Sequence, residues 1–412
     1  MNRKTDLHQL LLTLSLAMDF SKHGLMHHHQ RVAFISLRIA EELGLLPERK
    51  QNLFRAAVVH DAGISSWSKK SYLEEFHVFE PWPHCISGAK LFRSLDGIAP
   101  ISDIILHHHH RWDGDNDTSL AGESIPLESR IIHLADRIDV LVGAGRNILA
   151  RRSGIMEKIK SHSRKLFDPM LVEVMEQVAV KECFWLDLLS EFLPRQLEEE
   201  VSADLIRLDM ENLLKLGDVF AGIIDGKSSF THKHSRLVSA VAGMLAGKMG
   251  FSRKKCDMMI LAGLLHDLGK LTIPESILEK PGTLAVHEHN LIKQHAYYTY
   301  RILGLINGFD EIRDWAGLHH EKLDGSGYPF HLKSEQIPLG AKIMAVADIF
   351  SALAEDRPYR QGLPLDKINQ IMWQQVESNY IDGAVVDVLA KNMETAWDLH
   401  RQLKIRETVV AL

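Results

Sequence analysis

The chain repeats itself, and the residues that repeat are histidine and aspartate. Aligning His28 with His234 brings a His-Asp pair into register thirty-two residues later in both halves, His60-Asp61 and His266-Asp267. His84 and His295 follow after gaps of 24 and 29 residues, and 24 residues beyond each lies a His-His pair, His108-His109 and His319-His320. An Asp-Gly step comes at a common offset (Asp113-Gly114 and Asp324-Gly325). Asp136 and Asp348 close the series, 27 and 28 residues after the second histidine of each pair. The register also extends outward, because Asp19 and Asp225 each stand nine residues before the first histidine. Gaps that differ by one and five residues are what loop insertions produce. A repeat this long fixes the organisation of the chain before any local signal does. It predicts one domain over residues 1–190, a junction over 191–205 around the polar stretch 195–200, and a second domain over 206–412. The length agrees, since 412 residues exceed one ordinary core and suit two of about 200 each.

Each copy reads as helix. Leu53, Phe54, Ala57 and Val58 lead into His60 with helical spacing, as Met258, Met259, Leu261, Ala262 and Leu265 lead into His266. No stretch sustains the period-two alternation of a strand. Breakers separate the runs at Pro47, 81–83, 281–282 and 324–329. The expectation is an all-α fold, two helical bundles in series.

Composition excludes several classes. A hydrophobic content of 45% with 25% charged residues describes a globular chain. A net charge of −6 gives no basic face for a nucleic-acid polymer, although one pocket can still be locally positive. No apolar run approaches the ~20 residues of a membrane span. Asp6, His8 and Asp19 interrupt what would otherwise pass for a signal peptide, and the expected location is cytoplasmic. Three scattered cysteines, Cys85, Cys183 and Cys256, read as core thiols in a reducing compartment. Among the 24 histidines, isolated ones such as His8 and His400 read as surface residues.

The repeated set is different. Imidazole and carboxylate on rigid helices suit iron, manganese or zinc, and the lack of thiolates argues against a structural zinc site. Seven donors exceed what one ion needs but suit two ions that share a carboxylate. Asp267, beside His266 at a helix end, is the natural bridge. Two ions about 3.5–4 Å apart clamp the attacking and leaving oxygens of an in-line phosphoryl displacement.

The second half resembles the HD-GYP phosphodiesterases, a bacterial branch of the HD phosphohydrolases. The resemblance covers about 200 residues and rests on HDLGKLTIP (266–274), HHEKLDGSGYP (319–329) and ADIFSALAEDRPYR (347–360). It implies hydrolysis of cyclic di-GMP to pGpG or GMP, with His234, His266, Asp267, His295, His319, His320 and Asp348 as metal ligands. It further implies that Lys270, one helical turn beyond His266, approaches the scissile phosphate and that Tyr328, Arg357 and Arg360 hold the dinucleotide. Guanidinium is the natural partner of phosphodiester oxygens, and a spacing of three puts both arginines on one helical face. Phe230 stands where some trinuclear relatives carry glutamate, which favours two ions, iron or manganese first, with zinc and others as alternatives.

The first half resembles the wider HD superfamily. It keeps a full donor set (His28, His60, Asp61, His84, His108, His109, Asp136), a possible second metal site. Ile64, however, replaces the lysine, residues 115–117 replace Gly-Tyr-Pro, and Gly145 and Ile148 replace the arginines. The expectation is a copy that binds metal without cleaving cyclic di-GMP, with a metal-free relic as the alternative. Nothing in the motifs distinguishes guanine from adenine, so 3′,3′-cyclic GMP-AMP stays open as substrate. A non-catalytic sensor or scaffold is the rival of another class; a diguanylate cyclase and a second copy of the chain are candidate partners.

Overall fold

The computed structural model describes residues 6–19, 27–64, 76–78, 80–93, 95, 97–115, 120–143, 147–201, 208–227, 233–280, 282–356 and 361–410. Phe230, Gly145, Arg357 and Arg360 lie outside the described residues. Among those described the fold is all-α, as expected, with isolated bridges such as Ser163–Phe167 and Asp324–Lys333. The chain divides into two compact units, Asp6–Arg207 and a second built on Leu208–Leu412.

The first unit contains α1 (Leu7–Asp19), α2 (His28–Glu42), α3 (Pro47–Ala57), α4 (Trp82–Arg93), α5 (Ile101–Leu106), α6 (Leu127–Val142), α7 (Ile148–Lys160), α8 (Pro169–Ala179), α9 (Glu182–Leu188) and α10 (Leu193–Val201). The second contains α11 (Met210–Asp225), α12 (His234–Lys248), α13 (Arg253–Leu265), α14 (Glu275–Leu278), α15 (Val286–Leu303), α16 (Asp310–Gly317), α17 (Leu339–Ala354), α18 (Leu365–Glu377), α19 (Gly383–Lys391) and α20 (Met393–Val410). The stretch 191–205, read as the junction, includes α10, which packs on α1 and α2 and pairs Glu200 with Arg38.

In the second unit α12 is central, packed against α13 and α17, while α15 packs on α16. Helix α13 starts at Ser252, whose side chain accepts a hydrogen bond from the Lys255 amide, filling one of the open N-terminal positions. Its apolar face, Met259, Leu261, Ala262 and Leu265, is buried. It ends at the His-Asp pair, and a 3₁₀ turn, Leu268–Thr272, carries the chain away. Gly269 in that turn lies so close to α15 that a Cβ would sit 2.0 Å from the His295 carbonyl oxygen; Gly63 meets the His84 carbonyl in the same way. A side chain at either position would push apart two of the segments that carry the histidines.

Two sequence expectations fail. His8 and His400 are buried, 1% and 6% exposed. Helix α1 is covered on nearly every side, and Arg55 donates to His8 Nε2 at 3.2 Å; His400 packs edge-on against Trp397. Of the cysteines, only Cys85 is a core thiol. Cys256 is half-buried, and Cys183 lies on the outer face of α9, opposite the buried Phe184, Trp185 and Leu188.

Candidate metal centres

All seven predicted donors of the second unit meet. His234 opens α12, His266 and Asp267 follow α13, His295 lies within α15, His319 and His320 follow α16, and Asp348 lies within α17. They form two clusters, His234–His266–Asp348 and His295–His319–His320, each with its ligand atoms within 4.8 Å of one another. Asp267 stands between them. Its Oδ2 is 3.3 Å from His266 Nε2 and 3.9 Å from His234 Nε2, while its Oδ1 is 3.5 Å from His295 Nε2.

The backbone sets the ring orientations. The Nδ1 groups of His266, His295 and His319 donate to the carbonyl oxygens of Gly263, Ile292 and Ala316, each three residues back, at 2.8, 2.6 and 2.6 Å. That choice fixes the tautomer and leaves each Nε2 as the free lone pair. Thr299 secures the His-Asp turn, donating to the His266 carbonyl oxygen at 3.0 Å and accepting from the Gly269 amide at 2.9 Å.

His234 is oriented differently. Its Nδ1 is 2.9 Å from Glu355 and its Nε2 is 3.0 Å from Asp348. Burial disfavours the imidazolium, but these two carboxylates outweigh it and push His234 up to about 10. Glu355 was missed in the sequence; the signal available was its position seven residues, two helical turns, after Asp348. Outer carboxylates that aim a metal-binding histidine typically contribute 10- to 100-fold in metal affinity. Glu355→Ala is therefore expected to weaken metal binding by about that factor, measured by calorimetric titration.

The remaining electrostatics suit cations. Burial depresses His295 and His320 and takes His319 down to about 3, so all three are neutral imidazoles. Burial opposes ionisation of Asp267 and Asp348, yet His266 and Lys270 hold the first, and His234 the second, well below the usual carboxylate range. His266 Nε2 is buried without a hydrogen-bond partner, a cost that a bound cation removes. Nitrogen and carboxylate donors of this kind fit two borderline divalent ions.

The sign of the pH dependence follows from His234. In the metal-free protein it carries a proton below about pH 10, and a ligating imidazole must lose that proton. Metal affinity should thus rise about tenfold per pH unit between pH 6 and 8 as one proton is displaced. The same raised group stabilises the metal-free fold fully below its unfolded value near 6.5, a contribution lost as pH climbs through about 10. Manganese titrations at three pH values check the slope.

Lys270 sits in the 3₁₀ turn, not on a continuing α-helix, and its Nζ donates to Asp267 Oδ2 at 2.5 Å. Tyr328 packs its ring on His320, centroids 4.8 Å apart. Its loop is held by Glu321, which accepts from the Phe330 and Leu332 amides at 2.6 and 2.9 Å, and by Asp324, which accepts from the Ser326 amide at 2.9 Å.

The first unit assembles the same pattern. His28, His60 and Asp136 form one cluster and Asp61, His84, His108 and His109 another. Asp61 places Oδ2 3.9 Å from His28 Nε2 and Oδ1 3.7 Å from His84 Nε2. His60 and His108 again donate to carbonyls three residues back, Ala57 and Ile105. Asp139 does what Glu355 does, meeting His28 Nδ1 at 2.7 Å. The cation differs: Ile64 replaces Lys270, and the fully buried Arg137 instead holds Asp136 at 2.5 Å.

The HD domain family matches the chain twice, over residues 25–141 and 218–385. A curated relative, the 3′3′-cGAMP-specific phosphodiesterase 1 of Vibrio cholerae, is 30% identical over 405 residues, spanning 96% of this chain and 93% of the relative. The chain belongs to the HD-GYP family of cyclic-dinucleotide phosphodiesterases. Within that family, the cyclic di-GMP phosphodiesterase response regulator RpfG of Xanthomonas campestris is 35% identical over 209 residues, 48% of this chain and 55% of the relative. Among solved structures, a cyclic GMP-AMP specific phosphodiesterase of Vibrio cholerae matches with a TM-score of 0.69 and 27% identity, covering 95% of this chain and 98% of that one. HD-GYP enzymes are metal-dependent hydrolases. No described helix of this member is long and apolar enough to cross a membrane.

Proposed function

We propose that the second unit hydrolyses a cyclic dinucleotide at a two-ion centre, with 3′,3′-cyclic GMP-AMP preferred and cyclic di-GMP as the second reading. The observation that carries the centre is Asp267, one oxygen toward each of two histidine clusters. The substrate preference rests on likeness across both halves to phosphodiesterases named for cyclic GMP-AMP. Cyclic di-GMP is supported by RpfG, which matches about half of the chain.

In this reading His234, His266 and Asp348 hold one ion and His295, His319 and His320 the other, with Asp267 shared; iron or manganese suits such donors. The ions supply Lewis-acid activation of water and of the phosphoryl oxygens. Lys270 neutralises charge that develops on the phosphoryl group, and Tyr328 offers a ring and a hydroxyl beside it. Arg357 and Arg360 remain candidates for the phosphate on sequence grounds alone. Net reaction adds water across one P–O3′ bond, the hydroxyl going to phosphorus and the proton to the 3′ oxygen. Anaerobic metal analysis coupled to chromatography of the products from both nucleotides tests this; binding of either nucleotide without turnover would leave a sensor instead.

The first unit is proposed to hold metal without hydrolysis. It has both clusters, and His60 Nε2 is buried without a hydrogen-bond partner. It lacks the lysine, and its own cation is spent on Asp136. In the full chain, His60→Ala is expected to lower bound metal while dinucleotide turnover persists; unchanged metal content would mark the first unit as a relic.

A further inference from the structure

Beside the C-terminal centre lies a cleft of about 410 Å³, within the ~300–1,000 Å³ of small-molecule sites. One wall is α15, where Asn290, Gln294 and Tyr297 follow one another at helical spacing along a single face. The opposite wall is Tyr328, whose ring also packs on that of His320. Gln294 directly precedes His295 on α15, so one helix carries both a cleft residue and a candidate ligand. Lys293 lies 5.5 Å over the Tyr328 ring, and Arg301 covers one face of Tyr297 at 5.0 Å. Tyr297 is still 39% exposed. Asn290 and Gln294 are both exposed.

A solvated helix face has no need of three tyrosines around it, and Tyr298 is the third. Aromatic walls take the face of a base by stacking, whichever base it is. Carboxamides add discrimination, because a side-chain amide presents one donor and one acceptor, the complement of the amino group and ring nitrogen of adenine; guanine presents two acceptors on the corresponding edge and favours a cation, and the Lys293 ammonium of this cleft is directed over the Tyr328 ring instead.

We propose that this cleft is a base-recognition subsite in which Tyr297 stacks on one purine of the cyclic dinucleotide while Asn290 and Gln294 read its edge as adenine. The assignment rests on the phosphodiesterase reading above and gives it a source of specificity that the family motifs do not contain. The neighbouring histidines would hold the phosphodiester, and α15 would fix the distance between phosphate and base.

The test uses the full, manganese-loaded chain, with kcat and KM measured for 3′,3′-cyclic GMP-AMP and cyclic di-GMP. In the N290A/Q294A double variant the preference between the two nucleotides should collapse by about tenfold or more, chiefly through KM for cyclic GMP-AMP, since a lost base-edge pair is of that order. Tyr297→Ala should raise both KM values about tenfold, and Tyr297→Phe, which keeps the ring, should restore them. A preference unchanged within about twofold in the double variant would overturn the subsite, because base-edge contacts contribute more than that. So would unchanged KM values in Tyr297→Ala. If the unmodified chain hydrolyses neither nucleotide, the phosphodiesterase reading falls. Equilibrium binding of the same two nucleotides to the same variants then decides the subsite on the same ratios.

Discussion

Asp267→Ala will empty the C-terminal centre and cut cyclic-dinucleotide hydrolysis by at least about 10³-fold, because bound ions supply several kcal/mol of transition-state stabilisation. The geometry gives the reason. Asp267 faces both clusters, 3.3 Å from His266 and 3.5 Å from His295. Without it the His295–His319–His320 cluster is left with its three neutral imidazoles, while Asp348 groups with His234 and His266. Asp267→Asn separates charge from shape: it preserves the volume but offers one neutral oxygen, so it should also lose metal. Metal analysis and circular dichroism on both variants, beside the activity assay, distinguish an emptied centre from an unfolded one. Retention of two ions per second unit in Asp267→Ala would remove the bridging role.

The second large effect is expected at Lys270. Its Nζ donates to Asp267 at 2.5 Å, and its side chain is 22% exposed. It therefore reaches from the bridging carboxylate toward solvent, where a phosphodiester would lie. Lys270→Ala should keep its metal, because the seven donors remain, yet lower kcat by about 10²-fold or more, the usual cost of removing a charge partner of the transition state. KM should change less, since the charge that Lys270 meets grows as the bond to the 3′ oxygen breaks. Lys270→Arg is a poor substitute, the guanidinium being planar and larger than the compact ammonium. Full activity in Lys270→Ala would refute the assignment. The first unit makes the same comparison naturally, with Ile64 at the matching position.

The fold and the grouping of the candidate donors were legible because both are periodic. Helical spacing of apolar residues before His60 and His266 marks helices that end at the His-Asp pairs, and the structure ends α13 at Leu265. The repeat distances exposed fourteen candidate donors because insertions lengthen loops but leave residue order intact. The outer partners were not legible. Glu355 and Asp139 serve equivalent histidines from different positions, seven and three residues after the matching aspartates, so no common spacing announces them. Thr299, Glu321 and Arg137 are ordinary letters until their neighbours are known. His8 and His400 were misread because a lone histidine carries no sign of the side chains that will bury it.

By itself the sequence determined the number of domains, their helical character and the chemistry of the donors, since repetition, period and residue type are properties of the chain. Tertiary structure alone decided which oxygen of Asp267 faces which cluster, which imidazole nitrogen is left as a lone pair, and that an amide-bearing helix face closes a cleft beside Tyr328. Those depend on distances of a few ångströms between segments far apart in the chain, 114 residues for His234 and Asp348, and a linear order of residues does not encode distance until the helices have packed.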